Sequence, residues 1–142
     1  MDTVRELLKA KGSEIWSIRP GDSVFDAISQ MAERGCGALL VLDGDTLLGI
    51  VSERDYARKV ILAGRSSKDT PVADIMTEDV VTVGPDADVE ACLSLMTDRR
   101  IRHLPVVDGS QVVGMISIGD LVKAIIAQQK FLIGQLEQYI KQ

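Results

Sequence analysis

The sequence contains no apolar run close to the roughly 20 residues that a membrane-spanning helix needs. Its first residues lack the basic segment and apolar core of a signal peptide. Its two cysteines, Cys36 and Cys92, show no metal-ligand spacing and are predicted to stay reduced in the core. These absences predict a cytoplasmic protein without a membrane segment and without a metal site.

Chemically reactive residues are also few, and the 21 acidic residues outnumber the 16 lysines and arginines. His103 is the only histidine and no partnered nucleophile accompanies it, so we predict no catalytic residues, no catalytic cofactor and no enzymatic activity. The net charge of −5 disfavours nucleic-acid binding, because an acidic surface repels a phosphate backbone. The 142 residues suffice for one ordinary domain, or for two very small units that share a core.

The two halves of the chain are related by duplication. A shift of 65 residues superposes them without a gap, and it aligns the turn Asp43-Gly44 with Asp108-Gly109. Other identical pairs are Pro20/Pro85, Val24/Val89, Met31/Met96, Arg34/Arg99, Leu39/Leu104, Val41/Val106, Gly49/Gly114, Ser52/Ser117 and Asp55/Asp120. Chance would not align turn glycines, strand residues and a terminal Ser-x-x-Asp in one register, so we predict two related repeats.

Each half has the apolar periodicity of a β-α-β-β-α unit. Strands are predicted at 15–18, 38–42 and 47–52, and again at 80–83, 104–107 and 112–117. An extra helix follows Thr3 and ends at Gly12, and a long final helix runs from about Gly119 to Tyr139. The predicted fold class is α/β (α+β), with two pseudo-twofold-related repeats. The chain is divided into 1–66, which includes the N-terminal helix, and 67–142, which includes the C-terminal helix.

The end of each repeat carries the most informative stretch. Residues 49–55 predict a strand that ends on Ser52 and turns into a helix containing Asp55, and residues 114–120 repeat this with Ser117 and Asp120. Such a junction offers free backbone N–H groups and a favourable dipole to an anion. The carboxylate three residues after the serine can accept hydrogen bonds from a sugar diol. The alternative is that both aspartates are only first-turn helix residues that favour the dipole.

The pattern strand–Pro–helix, apolar run–Asp-Gly, and Gly-apolar-apolar-Ser-x-x-Asp resembles the CBS domain, and two copies in tandem resemble a Bateman module. The resemblance extends from about Gly12 to Ala127. The segments Ser-Glu-Arg-Asp-Tyr and Arg-His-Leu-Pro-Val-Val are similar to those of small stand-alone bacterial CBS-domain proteins. The resemblance implies a non-catalytic module that binds AMP, ADP, ATP, NAD(H) or S-adenosylmethionine in clefts between the repeats.

The resemblance also implies which residues bind. The serine would face a phosphate or the ribose, the aspartate would hold the ribose hydroxyls, and apolar residues would sandwich adenine. The first site would comprise Ser52, Arg54, Asp55, Val81, Ile101 and Arg102, and the second Ser117, Gly119, Asp120, Trp16, Cys36 and Gly37. Trp16 could stack on adenine, although packing in the core explains it equally well. Gly119 in place of Arg54 predicts unequal sites, of which the first suits charged phosphates better.

Together these features predict a regulatory sensor in which a bound nucleotide alters a surface offered to an unidentified protein effector. The alternative is a structural dimerisation or interaction module without a ligand. The final helix carries an apolar stripe that ends at Leu132, Ile133, Leu136 and Ile140. This stripe could pack on the N-terminal helix or mediate self-association, and CBS pairs commonly form disc-like dimers, so a homodimer is expected.

Overall fold

A computed structural model describes residues 2–141 as two compact units. One unit comprises residues 15–81, and the other joins residues 2–14 to residues 82–141. This grouping differs from the predicted division at residue 66. The N-terminal helix lies with the second repeat, and residues 67–81 lie with the first.

The helices and strands follow the predicted order. They are α1 (Val4–Lys11), β1 (Ser17–Ile18), α2 (Val24–Arg34), β2 (Ala38–Asp43), β3 (Thr46–Ser52), α3 (Glu53–Tyr56), α4 (Val89–Arg99), β4 (His103–Asp108), β5 (Gln111–Ser117) and α5 (Ile118–Lys141). A π-helical stretch (Ala57–Ile61) continues α3, and a 3-10 turn (Val72–Asp74) precedes the second repeat. None of the helices within residues 2–141 is long and apolar enough to span a membrane.

In the unit of residues 15–81, one apolar face joins α2 to the sheet. β1 pairs parallel with β2, and β2 pairs antiparallel with β3. Ser23 caps α2 by accepting a hydrogen bond from the Asp26 N–H. The i, i+3, i+7 face of α2 is buried with the apolar residues of β2 and β3 because its spacing matches the helical repeat. The core comprises Ile18, Val24, Ala27, Met31, Leu39, Val41, Val51, Val60, Val72 and Ile75.

The strand predicted at 80–83 does not form, and Pro105 explains why. In the first repeat the Leu40 N–H donates to the Trp16 carbonyl and helps to attach β1 to β2. Pro105 stands at the position equivalent to Leu40 and has no N–H to donate. Only an isolated parallel bridge between Val83 and Val106 remains next to the hairpin of β4 and β5.

Helix α1 is attached to the second repeat through its backbone. The Val4 N–H donates to the Ala87 carbonyl at 2.9 Å, and the Arg5 N–H donates to the Pro85 carbonyl at 2.8 Å. The side chain of Val4 is completely buried. These bonds are the physical reason that α1 groups with residues 82–141 rather than with the repeat that follows it in sequence.

The 3-10 turn makes the matching bonds in the first repeat. The Val72 N–H donates to the Asp22 carbonyl at 2.8 Å, and the Ala73 N–H donates to the Pro20 carbonyl at 2.9 Å. Val72 is also completely buried. Each repeat is therefore completed by a segment that precedes the other repeat, and the duplication extends to these two segments.

Candidate functional site

The junction between β3 and α3 is held by a reciprocal capping box. The Asp55 N–H donates to Oγ of Ser52 at 3.2 Å. Oδ2 of Asp55 accepts from the Ser52 N–H at 3.0 Å and from the Ser52 hydroxyl at 3.1 Å. This box satisfies backbone donors that would otherwise be unpaired at the start of the helix. It fixes the Asp55 carboxylate at the end of β3.

The second oxygen of Asp55 faces the segment that follows the repeat. Oδ1 lies 3.2 Å from Nζ of Lys59 and accepts from Oγ1 of Thr77 at 3.3 Å. Lys59 also donates to the Ile75 carbonyl at 2.9 Å. The Asp55 side chain is nearly buried, so its charge is balanced within its own unit.

The same box recurs between β5 and α5. The Asp120 N–H donates to Oγ of Ser117 at 3.2 Å, and the Ser117 N–H donates to Oδ2 of Asp120 at 2.8 Å. Lys11 of α1 places its Nζ 2.6 Å from the same Oδ2. Burial alone would raise the pKa of Asp120, but the hydrogen bonds from Lys11 and Ser117 and the Lys11 charge bring it below its ordinary value.

Both aspartates therefore have the helix-capping role that the sequence left open as an alternative. A carboxylate has about four lone-pair positions. The cap uses only Oδ2 of each aspartate, and Oδ1 of Asp55 contacts Lys59 and Thr77. The geometry thus gives two rigidly oriented carboxylates at equivalent places in the two repeats. The cap itself is compatible with ligand binding, but a ligand of Asp55 would have to replace the contact with Lys59 or with Thr77.

Each repeat brings the residue before its central strand to its own junction. The Gly37 carbonyl accepts from the Glu53 N–H at 3.1 Å, and the Arg102 carbonyl accepts from the Ile118 N–H at 2.9 Å. The sequence assigned Gly37 to the second site and Arg102 to the first. The predicted sharing of each site between the repeats stays a prediction.

Trp16 packs within its own unit, and its predicted stacking on adenine stays a prediction. The Arg34 guanidinium lies 5.4 Å from the centroid of the Trp16 ring, a cation–π contact. Trp16 and Cys36 are half-buried and pack against the core of residues 15–81. Both cysteines are free thiols. Val81 and Ile101 are half-buried in their own units.

Gly119 and Arg54 give the two junctions different charges. Both positions are exposed. A Cβ atom on Gly119 would lie 3.7 Å from Oγ of Ser117, which is ordinary van der Waals contact. A longer side chain would therefore fit there, so the missing guanidinium at this junction is a difference of sequence rather than a result of crowding.

Three residues around the aspartates were not predicted, namely Lys11, Lys59 and Thr77. Lys11 and Thr77 belong to the segments that complete the repeats. The equivalence of these two segments has a signal in the sequence, because residues 4–8 and 72–76 both follow the pattern Val-x-acidic-apolar-apolar. Their offset is 68 residues rather than 65, so the gap-free superposition of the halves does not reveal it.

His103 lies beside the second junction, where it pairs with Ser117 across β4 and β5. Burial lowers the pKa of His103, and the charges of Lys11 and Arg102 lower it further, while Asp120 opposes them. The imidazole is therefore predominantly neutral at pH 7.

The sequence model of the CBS domain matches residues 3–61 and again residues 72–127. The chain belongs to the CBS-domain family. A mitochondrial CBS domain-containing protein of Arabidopsis thaliana is 42% identical over 98% of this chain and 72% of its own length. The tandem CBS pair inferred from the repeat is thereby confirmed.

Solved CBS structures confirm the mixed α and β fold. A Burkholderia ambifaria protein with CBS domains, assigned to signal transduction, is 55% identical with a TM-score of 0.86, covering 89% of this chain and 96% of its own. A hexameric CBS-CP12 protein from bloom-forming cyanobacteria is 32% identical with a TM-score of 0.74, covering 84% and 69%. The chain is a CBS-domain protein of the regulatory, signal-transduction kind.

Proposed function

We propose that this chain is a non-catalytic cytoplasmic sensor that binds an adenosine-containing nucleotide (AMP, ADP, ATP or NAD(H)) at its Ser-x-x-Asp junctions. The observation that carries the proposal is the pair of oriented carboxylates, Asp55 and Asp120, each fixed by a serine at a strand end. A ribose diol offers two donors to such a carboxylate, and the N-terminus of the following helix attracts a phosphate.

The two sites are proposed to differ in the phosphate that they accept. The first junction carries Arg54, and the second carries Gly119 at the equivalent position. A guanidinium binds phosphate strongly and a glycine does not, so AMP, ADP and ATP should favour the first site over the second. Occupancy would then alter the surface that a protein effector recognises.

Isothermal titration calorimetry tests the proposal with AMP, ADP, ATP, NADH and S-adenosylmethionine. Asp55→Asn and Asp120→Asn should each weaken one binding event by about 10- to 100-fold, because each removes hydrogen bonds to a charged acceptor. The double variant should lose measurable binding. The proposal fails if no ligand binds wild type more tightly than about 1 mM, equivalent to roughly 4 kcal/mol, or if the double variant still binds like wild type.

Asp26→Asn is the matched control. Asp26 follows Ser23 in the same Ser-x-x-Asp spacing and occupies the first turn of α2, where its N–H donates to Oγ of Ser23 at 3.1 Å. It is exposed and does not follow a strand of the repeat hairpin. Asp26→Asn should therefore leave nucleotide affinity unchanged, which separates ligand binding from general effects of neutralising an aspartate in the first turn of a helix.

The end of α5 supports a homodimer, with or without a bound nucleotide. Six large apolar side chains there are between 53% and 80% exposed, namely Phe131, Leu132, Ile133, Leu136, Tyr139 and Ile140. A surface of this kind on one helix is typical of a protein contact. The hexameric CBS-CP12 relative shows that a protein similar to this chain self-associates.

The charges near this end favour a second copy of the chain in antiparallel orientation. Lys130 and Glu137 lie almost symmetrically about Ile133 and Gly134. In an antiparallel pair of α5 helices, Lys130 of each copy would face Glu137 of the other, and Gly134 would allow close approach. A ligand-free dimerisation module, the alternative function, would rest on this surface alone.

Sedimentation velocity of charge-exchange variants tests the dimer. Lys130→Glu should weaken association, since two acidic residues would then face each other, and adding Glu137→Lys should restore it. Leu136→Lys should give a monomer. Wild type that sediments as a monomer would overturn the dimer, and a double variant no stronger than Lys130→Glu would overturn the antiparallel arrangement.

A further inference from the structure

Lys11, the last residue of α1, is bonded to the second Ser-x-x-Asp junction. Its Nζ lies 2.6 Å from Oδ2 of Asp120 and donates to the Met115 carbonyl of β5 at 2.9 Å. The Lys11 and Asp120 side chains are 37% and 22% exposed, so the pair is partly shielded from water. A cation from another element therefore occupies the carboxylate that the proposed ligand would use.

We propose that Lys11 competes with the ligand for Asp120, so that a nucleotide enters the second site only by displacing Lys11. The inference rests on the proposed function, because it concerns the ribose diol of the same ligand. It makes Lys11 a residue that sets the affinity of the second site, although in the sequence Lys11 lies among the residues matched to the first CBS domain.

The bonds to Oδ2 of Asp120 show why the two cannot be bound together. Oδ2 already accepts from the Ser117 N–H at 2.8 Å and from Lys11, which fills both of its lone-pair positions. A diol that donates to both carboxylate oxygens must place one bond on Oδ2. The Ser117 N–H is fixed in β5, whereas Nζ of Lys11 ends a long, partly exposed side chain that can adopt another rotamer, so Lys11 is the group that leaves.

The first repeat lacks this arrangement. There the lysine near Asp55 is Lys59, four residues further along the same helical segment and 3.2 Å from Oδ1. The position equivalent to Lys59 in the second repeat is Ala124. Displacing Lys59 breaks its bond to the Ile75 carbonyl, but it moves a side chain of the same helical segment that carries Asp55. Displacing Lys11 also breaks its bond to Met115, so occupancy of the second site loosens the last turn of α1 from β5.

Calorimetry with adenosine in an Asp55→Asn background measures the second site alone. Adenosine has the diol and no phosphate, so attraction between Lys11 and a phosphate does not contribute to the measured affinity. Adding Lys11→Met should strengthen adenosine binding by about 3- to 10-fold, since a partly exposed, charge-assisted hydrogen bond no longer competes. Lys11→Gln provides a second neutral variant, and thermal melts establish that both are folded.

Three controls make the result specific. Lys11→Arg keeps the charge and should leave the affinity low. Lys9→Met removes an exposed lysine from the same turn of α1 and should change nothing. Binding of 2′,3′-dideoxyadenosine should not improve in Lys11→Met, because this ligand lacks both hydroxyls that compete with Lys11.

The possible outcomes separate the inference from the proposed function. Equal or weaker adenosine binding in Lys11→Met, with binding intact in the Asp55→Asn parent, overturns the inference and leaves the proposed function standing. An equal gain for dideoxyadenosine also overturns it, because the competition would not involve the diol. If adenosine and AMP bind neither wild type nor any variant, the proposed function fails and the inference fails with it.

Discussion

A Cβ atom on Gly49 would lie 2.7 Å from the carbonyl oxygen of Thr77, closer than any side chain can stand. The Ile50 N–H and carbonyl are bonded to Thr77 at 3.0 and 2.8 Å, so the two segments cannot separate without losing both bonds. Gly49→Ala should therefore lower the free energy of unfolding by about 2–4 kcal/mol, measured by urea denaturation.

Gly114→Ala is the matched control in the second repeat. A Cβ atom there would meet the Cδ2 atom of Leu8 at 2.9 Å. The end of a leucine side chain can change rotamer, whereas a backbone carbonyl held in a bridge cannot. Gly114→Ala should thus cost only about 1 kcal/mol. Equal losses in the two variants would show that the Thr77 contact is not rigid.

Sequence patterns predicted most of the fold because local physics determines it. The apolar face of α2, the Asp-Gly turns and the paired hairpins all follow from residue spacing within each repeat. The strand-to-helix junctions at the two Ser-x-x-Asp segments are also local and were predicted, although the reciprocal capping bonds within them were not. Because the same register recurs after 65 residues, each of these features is predicted once in each repeat.

Long-range partners could not be predicted in the same way. The attachment of α1 to residues 85–87 depends on the tertiary path of the chain, and its offset differs from that of the repeat. The loss of the strand at 80–83 depends on a proline in a neighbouring strand, Pro105. Lys11 meets Asp120 across more than a hundred residues of sequence, and an exposed lysine carries no signal of its partner.

Removing buried methyl groups from α1 tests its place in the second repeat. Val4 and Val72 are both completely buried and make equivalent backbone bonds. Val4→Ala and Val72→Ala should each lower the free energy of unfolding by about 2 kcal/mol, through lost burial and a residual cavity.

Lys9→Ala, on the exposed face of the same helix, should change the unfolding free energy by less than about 0.5 kcal/mol. If Val4→Ala also has so small an effect while Val72→Ala is costly, α1 does not complete the second repeat in solution. Hydrogen exchange of the Val4 and Arg5 amides would then show no protection.

Acid titration should reveal the ion pair between Lys11 and Asp120. The folded pKa of Asp120 lies below its ordinary value of about 3.9, so its stabilisation is complete above that pH and is lost as the pH falls through the folded pKa. Lys11→Met should be less stable than wild type at pH 7, by about 0.5–1 kcal/mol given the exposure of both groups.

This difference should shrink as the pH is lowered from about 4, because protonated Asp120 no longer attracts Lys11. Lys9→Met should follow the wild-type curve throughout. A constant gap between Lys11→Met and wild type at every pH would mean that Lys11 contributes through packing rather than through charge.

His103 should make the protein less stable as the pH falls below about 6.5, the ordinary pKa of histidine. Because burial and the charges of Lys11 and Arg102 lower the folded pKa of His103, the unfolded chain takes up a proton before the folded chain does. The free energy of unfolding should decrease from pH 6.5 to the folded pKa and then level off.

Urea denaturation of His103→Gln should lack this slope, and no second histidine can mask the effect. A slope that persists in His103→Gln would contradict the lowered pKa. A stability that rises as the pH falls over the same range would also contradict it, because a negative charge near the ring would then outweigh the effect of burial.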